Sequence, residues 1–391
     1  MKNKELLLVP GPTPVVDEIY DALASETRGH TDPRFVEIFK NAIQNTKKLF
    51  NTDGEVYIVA GSGTLAMEMA IVNTVASGER ILVISHGYFG DRFTPLAKAF
   101  GIEVDVLQAA WGERVDVKLV EEALQAKNYK AVTITHADTS TGVASDLEAL
   151  VPIIKATGAL VIVDGVVATA ALQEDMGYAY GDNEAYKIDV VLTGSQKAIG
   201  IPPGLAIVAF SNEALKARAQ LASVPAYYSD IHNWRKIMDN PGLYFATPPV
   251  NLIYAYDVAL KMVLEEGMEK REVRHIAFGK AIRSALRCYG MKPLASEEVA
   301  APTLSCILYP EGVDDAAFRA SLATRGVVVA GALAHLAGKA FRIGHMGNTT
   351  GSMLEQAIIV IGEALKEQQI DVNIEQAVQV FSKEIGQIVR G

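Results

Sequence analysis

Short apolar runs alternate with helical patterns through the first half of the chain, and this alternation restricts the possible folds more than any other feature. Seven runs of six or seven residues are typical of buried strands: 55–60, 80–85, 103–108, 130–136, 159–164, 188–194 and 205–210. Helical patterns separate most of these runs, as the crossovers between parallel strands require. The alternation predicts an α/β fold with a mainly parallel seven-stranded sheet that helices cover on both faces.

The pattern changes after Pro248–Pro249. The next forty or so residues are rich in helix formers, with a break near Gly267, and a smaller set of strand and helix patterns follows. The chain has 391 residues, 50% of them hydrophobic, so it is long enough to bury two cores. We expect three parts: an extended N-terminal segment (1–14), a large domain (15–255), and linking helices with a small C-terminal α/β domain (256–391).

The composition argues against several kinds of partner. The net charge of −10 provides no basic surface for nucleic acid or for an anionic membrane. No apolar run approaches the length of a membrane span, and Leu6–Val9 is too short for the apolar part of a signal peptide. Two cysteines, Cys288 and Cys306, favour a reducing compartment. We therefore expect a cytoplasmic protein that binds neither nucleic acid nor membrane.

One lysine stands out because of its neighbours. Lys197 lies in the small-residue stretch TGSQKAIGIPPG (193–204), directly after an apolar strand pattern. Burial at the end of a strand lowers the pKa of a lysine, and a neutral amine can attack a carbonyl carbon. The alternative is an ordinary solvated lysine in a surface turn.

The turn Gly61–Thr64 follows another strand pattern and precedes a helical one. Backbone amides at such a helix N-terminus can bind a phosphate. The glycine spacing also matches a dinucleotide-binding turn, but that function requires an acidic residue at the end of the next strand. Ser85–His86 stands there instead. A tight turn that binds no ligand is the remaining alternative.

Four further residues at strand ends or within strands are candidates for a binding site. Asp164 ends an apolar strand pattern, so its carboxylate needs a partner, such as a pyridinium nitrogen, Mg²⁺ or a helix-capping amide. The Thr139 hydroxyl is suited to hydrogen-bonding a ligand or to capping a turn. The Phe89 ring is suited to stacking on a flat ligand or to packing in the core. Arg342 needs an anion, which is either a ligand carboxylate or a structural ion-pair partner.

These residues together resemble the class V pyridoxal-phosphate aminotransferases, in particular the alanine–glyoxylate and serine–pyruvate group. The resemblance extends almost from end to end and implies the PLP-dependent transferase fold (fold type I), with a large and a small α/β domain. The motifs that carry it are PGPTP (10–14), GSGTLAME (61–68), GYFGDR (87–92), STGV (140–143), VDGV (163–166), GSQK (194–197), PPG (202–204), YFATPPV (244–250) and RIGHMG (342–347).

The resemblance implies pyridoxal 5′-phosphate as cofactor and no metal ion. It implies that Lys197 forms a Schiff base with the cofactor and later carries the substrate proton, while Asp164 pairs with the pyridinium nitrogen. The other residues that it assigns to the cofactor surround the ring and the phosphate: Phe89 and Val166 on the two ring faces, Thr139 near the ring hydroxyl, and Ser62, Gly63, Thr64 and Gln196 at the phosphate.

The same resemblance implies a homodimer, because Tyr244 and Thr247 reach the phosphate of the neighbouring subunit. Arg342 and Gly29 are assigned to the end of the pocket that holds the substrate α-carboxylate. The implied reaction is a ping-pong transfer of the amino group from alanine or serine to glyoxylate or pyruvate.

Several alternatives to this reaction are open from sequence. (S)-Ureidoglycine–glyoxylate transfer uses the same chemistry, and a cysteine desulfurase or another lyase shares the fold. A non-catalytic interaction protein, such as a hydrogenase subunit, and an NAD-dependent dehydrogenase are less favoured. The chain departs from the family pattern in a long excursion at 177–186, for which a surface position is favoured over the site entrance. His345, which replaces an apolar residue, leaves the acceptor preference open.

Overall fold

The computed structural model of the protein describes residues 5–386. Its first part contains β1 (Leu6–Leu7), α1 (Asp17–Leu23) and α2 (Pro33–Leu49). Helix α2 begins at a strong start signal, because the Asp32 side chain accepts a hydrogen bond from the Arg34 amide and Pro33 occupies the first turn.

The middle of the chain alternates strands and helices as predicted. Its elements are β2 (Glu55–Ala60), α3 (Gly63–Val72), β3 (Arg80–Ser85), α4 (Tyr88–Asp91), α5 (Phe93–Ala99), β4 (Glu103–Gln108), α6 (Val117–Ala126), β5 (Ala131–Thr135), β6 (Ala137–Asp138), β7 (Val143–Ala144), α7 (Leu147–Lys155), β8 (Leu160–Asp164), β9 (Val190–Gly194), β10 (Leu205–Phe210), α8 (Asn212–Gln220) and α9 (Ile231–Asp239).

Seven of these strands form the main sheet, in the order β2-β10-β9-β8-β5-β3-β4. Only β10 runs antiparallel to its neighbours, so the prediction of a mainly parallel seven-stranded sheet is confirmed. Every residue of β5, β8, β9 and β10 is buried, which explains why these strands are apolar throughout rather than alternating. The carboxyl ends of all the parallel strands lie at one edge of the sheet.

The C-terminal part begins with two long helices that meet at Gly267. Its elements are α10 (Val250–Glu266), α11 (Met268–Arg287), β11 (Lys292–Pro293), β12 (Leu304–Leu308), α12 (Asp315–Thr324), β13 (Val327–Val328), β14 (Ala330–Gly331), a short 3₁₀ helix (Ala334–Leu336), β15 (Ala340–Gly344), α13 (Gly351–Glu367) and α14 (Ile374–Ile385). Four of these strands form a second, antiparallel sheet in the order β11-β12-β15-β14.

The division into two domains stays a proposal, which the packing of apolar side chains supports. One large buried cluster extends from Ile19 to Val263 around the main sheet, and a second contains residues of α11 to α14 and the smaller sheet. Helix α10 continues through residue 255 and contributes Val263 to the larger cluster. We therefore propose that the change of domain falls at Gly267 rather than at 255.

Helix α8 is polar and buries only Ala214 and Ala217, so its hydrophobic period is weak and gives little signal in the sequence. The apolar stretch 326–331 forms two short strands: β13 pairs with β1, and β14 pairs with β15. Among the helices in residues 5–386, none is long and apolar enough to cross a membrane.

Candidate active site

A cleft of about 550 Å³ opens at the carboxyl edge of the main sheet. Nine of the residues singled out from sequence line it: Ser62, Gly63, Thr64, Phe89, Thr139, Asp164, Val166, Gln196 and Lys197. They follow β2, β3, β5, β8 and β9, which are far apart in sequence and end at the same edge. Such an edge is where ligands bind in doubly wound sheets.

Lys197 follows β9 and points its amine into this cleft. The Lys197 Nζ donates a hydrogen bond to the Pro10 carbonyl oxygen, so the N-terminal segment lies directly against the lysine. Burial, with a further contribution from the positive charge of Arg342, lowers the pKa of Lys197 to about 8. About a tenth of the amine is therefore neutral at pH 7, far more than for a solvated lysine, and a nucleophile or proton acceptor needs this neutral form.

Asp164 ends β8, and its side chain lies at the inner wall of the cleft with only 4% of its surface exposed. One of its carboxylate oxygens accepts a hydrogen bond from the Val166 amide at 3.0 Å. Burial is the main reason that the pKa of Asp164 rises to about 7, and the nearby carboxylates of Asp138 and Glu174 raise it further. Such a carboxylate is suited to a cationic ligand, which would restore its charge.

The start of helix α3 forms another wall of the cleft. Ser62 precedes the helix without capping it through its side chain, so the amides of the first turn are available to a ligand. The Gln196 Oε1 atom is buried and has no hydrogen-bond partner among residues 5–386. Free amide donors at a helix N-terminus are typical of a site that binds a phosphate.

Two apolar side chains face the space between these polar groups. A Cβ atom at Gly63 would lie 2.8 Å from Val166 Cγ2, so the glycine allows Val166 to approach the start of α3 closely. Phe89 lies in the short helix α4 and is partly exposed to the cleft. A flat ligand between Phe89 and Val166 would be held on both faces.

Arg342 lies in β15, and its guanidinium approaches the cleft from the smaller sheet. Its Nε donates to the Gly331 carbonyl at 2.9 Å and its Nη1 donates to the Thr139 carbonyl at 3.1 Å. No carboxylate of residues 5–386 forms a salt bridge with it, which leaves its positive charge available to an anionic ligand.

Four residues singled out from sequence are not among those that line the cleft: Arg342, which borders it through Thr139, and Gly29, Tyr244 and Thr247. Tyr244 is 64% exposed, and its hydroxyl lies 3.5 Å from Thr247 Oγ1 on the protein surface. Gly29 is also exposed, and its neighbour His30 places its ring 5.3 Å from that of Tyr244. The structure therefore groups Gly29 with Tyr244 and Thr247 on one exposed surface.

His345 and the excursion at 177–186 lie away from the cleft. His345 is fully buried and its Nε2 lies 3.0 Å from Ser305 Oγ, so it links β15 to β12. Within the excursion, 181–185 is exposed, and Tyr180 packs into the large apolar cluster. The excursion is therefore a surface feature.

The two cysteines also lie away from the cleft. Cys306 is buried in β12, and burial raises its pKa to about 12. It is therefore unsuited to the nucleophilic thiolate that a desulfurase needs. Within residues 5–386, no three His, Cys, Asp or Glu side chains are grouped as a metal site.

Sequence reasoning missed two polar residues beside the cleft. Arg92 donates from Nη1 to Thr64 Oγ1 at 3.0 Å, and its guanidinium lies 4.9 Å from the centre of the Phe89 ring. Asp138 is completely buried beneath Phe89 and Thr139. Both residues lie one to three positions from a residue that was singled out, and this proximity was the only signal for them.

Comparison with known proteins agrees with this geometry. The sequence model of the aminotransferase class V family matches residues 12–369. An uncharacterized aminotransferase of Methanocaldococcus jannaschii is 36% identical over 97% of this chain and 98% of that protein. Alanine–glyoxylate aminotransferase 1 of Saccharomyces cerevisiae is 36% identical over 89% of this chain and 93% of that protein.

Two further similarities extend the comparison. The soluble hydrogenase small subunit of Synechococcus sp. is 37% identical over 89% of both chains. The crystal structure of an alanine–glyoxylate aminotransferase from Nostoc sp. is 28% identical, covers 93% of this chain and 96% of that chain, and superposes with a TM-score of 0.86. The chain therefore belongs to the class V aminotransferases and has the fold of the PLP-dependent, fold type I enzymes.

Proposed function

We propose that this aminotransferase uses pyridoxal 5′-phosphate, bound covalently to Lys197, to move an amino group from alanine or serine to glyoxylate or pyruvate. The observation that best supports the proposal is that Lys197 and Asp164 line the same cleft. Burial moves the pKa of each toward neutrality, to about 8 for the amine and about 7 for the carboxyl. Pairs of groups shifted in this way are typical of catalytic sites.

The polar groups of the cleft match those of the cofactor. The buried Gln196 Oε1 has no hydrogen-bond partner among residues 5–386, which supports a ligand at this side chain. A flip of the amide turns its NH₂ group toward the same point. The Gln196 amide and the first turn of α3 would donate hydrogen bonds to a phosphate bound there. Phe89 and Val166 would hold the ring on its two faces, and Asp164 would pair with its nitrogen.

When bound, pyridoxal 5′-phosphate supplies an aldehyde carbon that bonds to amines and a ring that accepts the electron pair left by the departing Cα proton. Asp164 would keep the ring nitrogen protonated through a buried ionic hydrogen bond. The Lys197 amine would be released when the substrate amine takes its place on the cofactor, and its Nζ would then take the proton from the substrate Cα and carry it through the transfer.

These steps make the reaction ping-pong, because the first keto acid leaves before the second binds. Lys197 performs the same proton transfer in the reverse direction in the second half. Reduction of the resting protein with borohydride, followed by peptide mass analysis, is expected to fix the cofactor on Lys197. A cofactor adduct on another lysine, or none in a protein that contains the cofactor, would reject the assignment.

The Arg342→Ala variant is expected to lose roughly 2–4 kcal/mol of binding to the substrate carboxylate, because a charge-assisted hydrogen-bonded pair is removed. The kcat/KM for alanine should fall by about 30- to 1,000-fold, mostly through KM. Transfer from ethylamine, which has no carboxylate, should not change. Arg325→Ala is a matched control, since Arg325 pairs with Glu363 and Glu367 outside the cleft. Equal KM values for alanine in Arg342→Ala and the wild type would contradict this role.

We also propose a homodimer in which Tyr244 and Thr247 complete the phosphate site of the neighbouring subunit. The support is their grouping on an exposed surface outside the cleft of their own chain. Lys197→Ala and the double variant Tyr244→Ala/Thr247→Ala should each be nearly inactive alone. Subunit exchange between them should restore activity, because one site of each mixed dimer is complete. Mixed dimers without activity would exclude the shared site.

The proposed substrate pair rests on two of the relatives, both of which are named alanine–glyoxylate aminotransferases. (S)-Ureidoglycine is the alternative donor, and a ureidoglycine–glyoxylate aminotransferase shares the fold. Alanine, serine and (S)-ureidoglycine should be compared by kcat/KM against glyoxylate and against pyruvate. If kcat/KM is at least 10-fold higher for (S)-ureidoglycine than for alanine and serine, (S)-ureidoglycine is the donor instead.

A further inference from the structure

Asp138 is a buried carboxylate with no cationic partner. It lies in β6, none of its surface is exposed, and no salt bridge joins it to a Lys, Arg or His of residues 5–386. Burial of a charge is costly unless hydrogen bonds replace the lost water. The hydrogen bonds of Asp138 therefore indicate which parts of the structure this buried carboxylate holds in place.

Both carboxylate oxygens accept hydrogen bonds, each from a different loop. Oδ2 accepts from the amides of Phe89 at 2.9 Å and of Gly90 at 3.1 Å, in the loop after β3 that contains the short helix α4. Oδ1 accepts from the Ser140 amide at 2.8 Å and the Ser140 hydroxyl at 2.6 Å, in the loop after β5. The Ser140 hydroxyl in turn accepts from the Tyr88 amide at 2.9 Å. One side chain thus joins the loop that carries Phe89 to the turn that carries Thr139.

The close fit of the two loops depends on a glycine. A Cβ atom at Gly87 would lie 2.5 Å from both Asp138 Cγ and Ser140 Oγ, nearer than atoms pack. Only glycine lets the chain before Phe89 pass over the carboxylate. The motif GYFGDR and the aspartate of HADTSTG therefore form one structural unit.

The same turn also holds the arginine of the smaller sheet. The carbonyl oxygen of Thr139, next to Asp138, accepts a hydrogen bond from Arg342 Nη1 at 3.1 Å. A displaced turn would move Thr139, Phe89 and the guanidinium together. Asp138 therefore lies between Phe89, proposed to hold the cofactor ring, and Arg342, proposed to bind the substrate carboxylate.

We propose that Asp138 is a positioning residue for the transamination site, holding Phe89 against the cofactor ring and Arg342 against the substrate carboxylate. The proposal rests on the proposed function. The carboxylate does not contact substrate or cofactor, and it acts through the two loops that it joins.

The charge of Asp138 supports the same role. Among residues 5–386, the negative charge of Asp138 contributes to the pKa of four groups: His86, Asp164, Lys197 and Arg342. Burial and Arg342 lower the pKa of Lys197, whereas the negative charges of Asp164 and Asp138 raise it. Loss of the Asp138 charge should therefore lower the pH at which the lysine-bound cofactor titrates.

The test compares Asp138→Asn with Asp189→Asn in the purified holoenzyme. Asp189 is a matched control, a carboxylate 2% exposed that pairs with Lys155 and accepts from the Val161 amide, outside the cleft and both loops. An asparagine side chain has one oxygen acceptor and one NH₂ donor, so the donors of one of the two loops lose their hydrogen-bond acceptor. Asp138→Asn should raise the dissociation constant of pyridoxal 5′-phosphate and the KM for alanine by roughly 10- to 100-fold each. It should also lower the pH at which the visible absorption of the bound cofactor changes.

Three outcomes decide the proposal. Asp189→Asn should leave the lysine-linked titration and both constants near wild-type values, and equal changes in the two variants would overturn the role of Asp138. If Asp138→Asn does not fold, Ser140→Ala removes only the hydroxyl between the loops and should raise both constants by about 3- to 10-fold. Unchanged constants in Ser140→Ala would then overturn the proposal. A wild-type protein that binds no cofactor would reject the proposed function itself.

Discussion

The Lys197→Ala variant is expected to bind pyridoxal 5′-phosphate without a covalent bond and to lose at least about 10³-fold in kcat. The loss has two sources, because the variant lacks both the covalent attachment and the base that moves the Cα proton. General acid–base catalysis alone contributes about 10²–10⁴-fold. Stopped-flow measurement of the alanine half-reaction isolates the proton step from product release.

The stability of this variant separates a catalytic defect from misfolding. In the cofactor-free protein the pKa of Lys197 is lowered from 10.5 to about 8, so its charged form is disfavoured by folding. That cost is fully present below pH 8 and disappears as pH rises from about 8 to 10.5. Removal of the amine should therefore leave the Tm of the cofactor-free protein at pH 7 equal or higher.

Lys187 provides a matched control, since it lies ten residues earlier and does not line the cleft. Lys187→Ala should keep the wild-type kcat. A small added amine such as methylamine should restore part of the half-reaction rate in Lys197→Ala and have no effect on the control. Normal transamination by Lys197→Ala would exclude this lysine as the catalytic base.

The Asp164→Asn variant is expected to lose roughly 10²–10³-fold in kcat, because an amide cannot keep the ring nitrogen protonated. Truncation of one partner in a buried, hydrogen-bonded charge pair costs about 2–5 kcal/mol, and about 1.4 kcal/mol corresponds to a tenfold change in rate. The alanine half-reaction should show the loss, while the covalent attachment to Lys197 should survive.

The same substitution should stabilise the cofactor-free protein. Burial raises the pKa of Asp164 from 3.8 to about 7, so the folded state retains a proton that the unfolded chain has released. Stability of the wild type therefore falls as pH rises from about 4 to 7, by up to about 4 kcal/mol. Asp164→Asn lacks this decrease, and its free energy of unfolding should exceed that of the wild type at pH 8. Denaturant unfolding at pH 4.5 and pH 8 measures both effects.

Asp189→Asn gives the opposite pattern and serves as the control. Asp189 is also buried, but it forms a salt bridge with Lys155 at 2.7 Å and does not line the cleft. Its replacement leaves the lysine without its partner, so stability should fall while kcat stays near that of the wild type. Lower stability of Asp164→Asn at pH 8, or unchanged turnover, would contradict the role given to Asp164.

The strands of the main sheet were predictable because buried parallel strands have one simple pattern, a short apolar run. The residues Lys197, Asp164 and Thr139 were predictable for a related reason, since polar groups directly after such runs fall at one edge of the sheet. The assignment of these residues to a cofactor came from the resemblance, and their roles are still predictions. The positions of these residues in the sequence are equally compatible with the structural alternatives, which are a surface lysine, a helix-capping aspartate and a turn-capping threonine.

What sequence could not provide depends on contacts between distant segments. Asp138 resembles any polar residue in a turn until the amides of Phe89 and Gly90 are placed around it. The Pro10 carbonyl faces Lys197 because the N-terminal segment is held on both sides of Pro10, by bonds of Leu8 to Val328 and Gly344 and of the Thr13 amide to the Gln196 carbonyl. From sequence, His345 left the acceptor preference open, and the structure places it between α11 and β12, next to Ser305 and Gly279.

The most direct test of the central claim is one cycle of the two half-reactions, followed by absorption spectroscopy of the purified holoenzyme. One equivalent of L-alanine, without a keto acid, should remove the visible absorption of the lysine-bound cofactor and release one pyruvate per subunit. Glyoxylate should then restore the absorption and yield one glycine per subunit. Absorption that does not change with alanine or with serine, in a protein that contains the cofactor, would contradict transamination through Lys197.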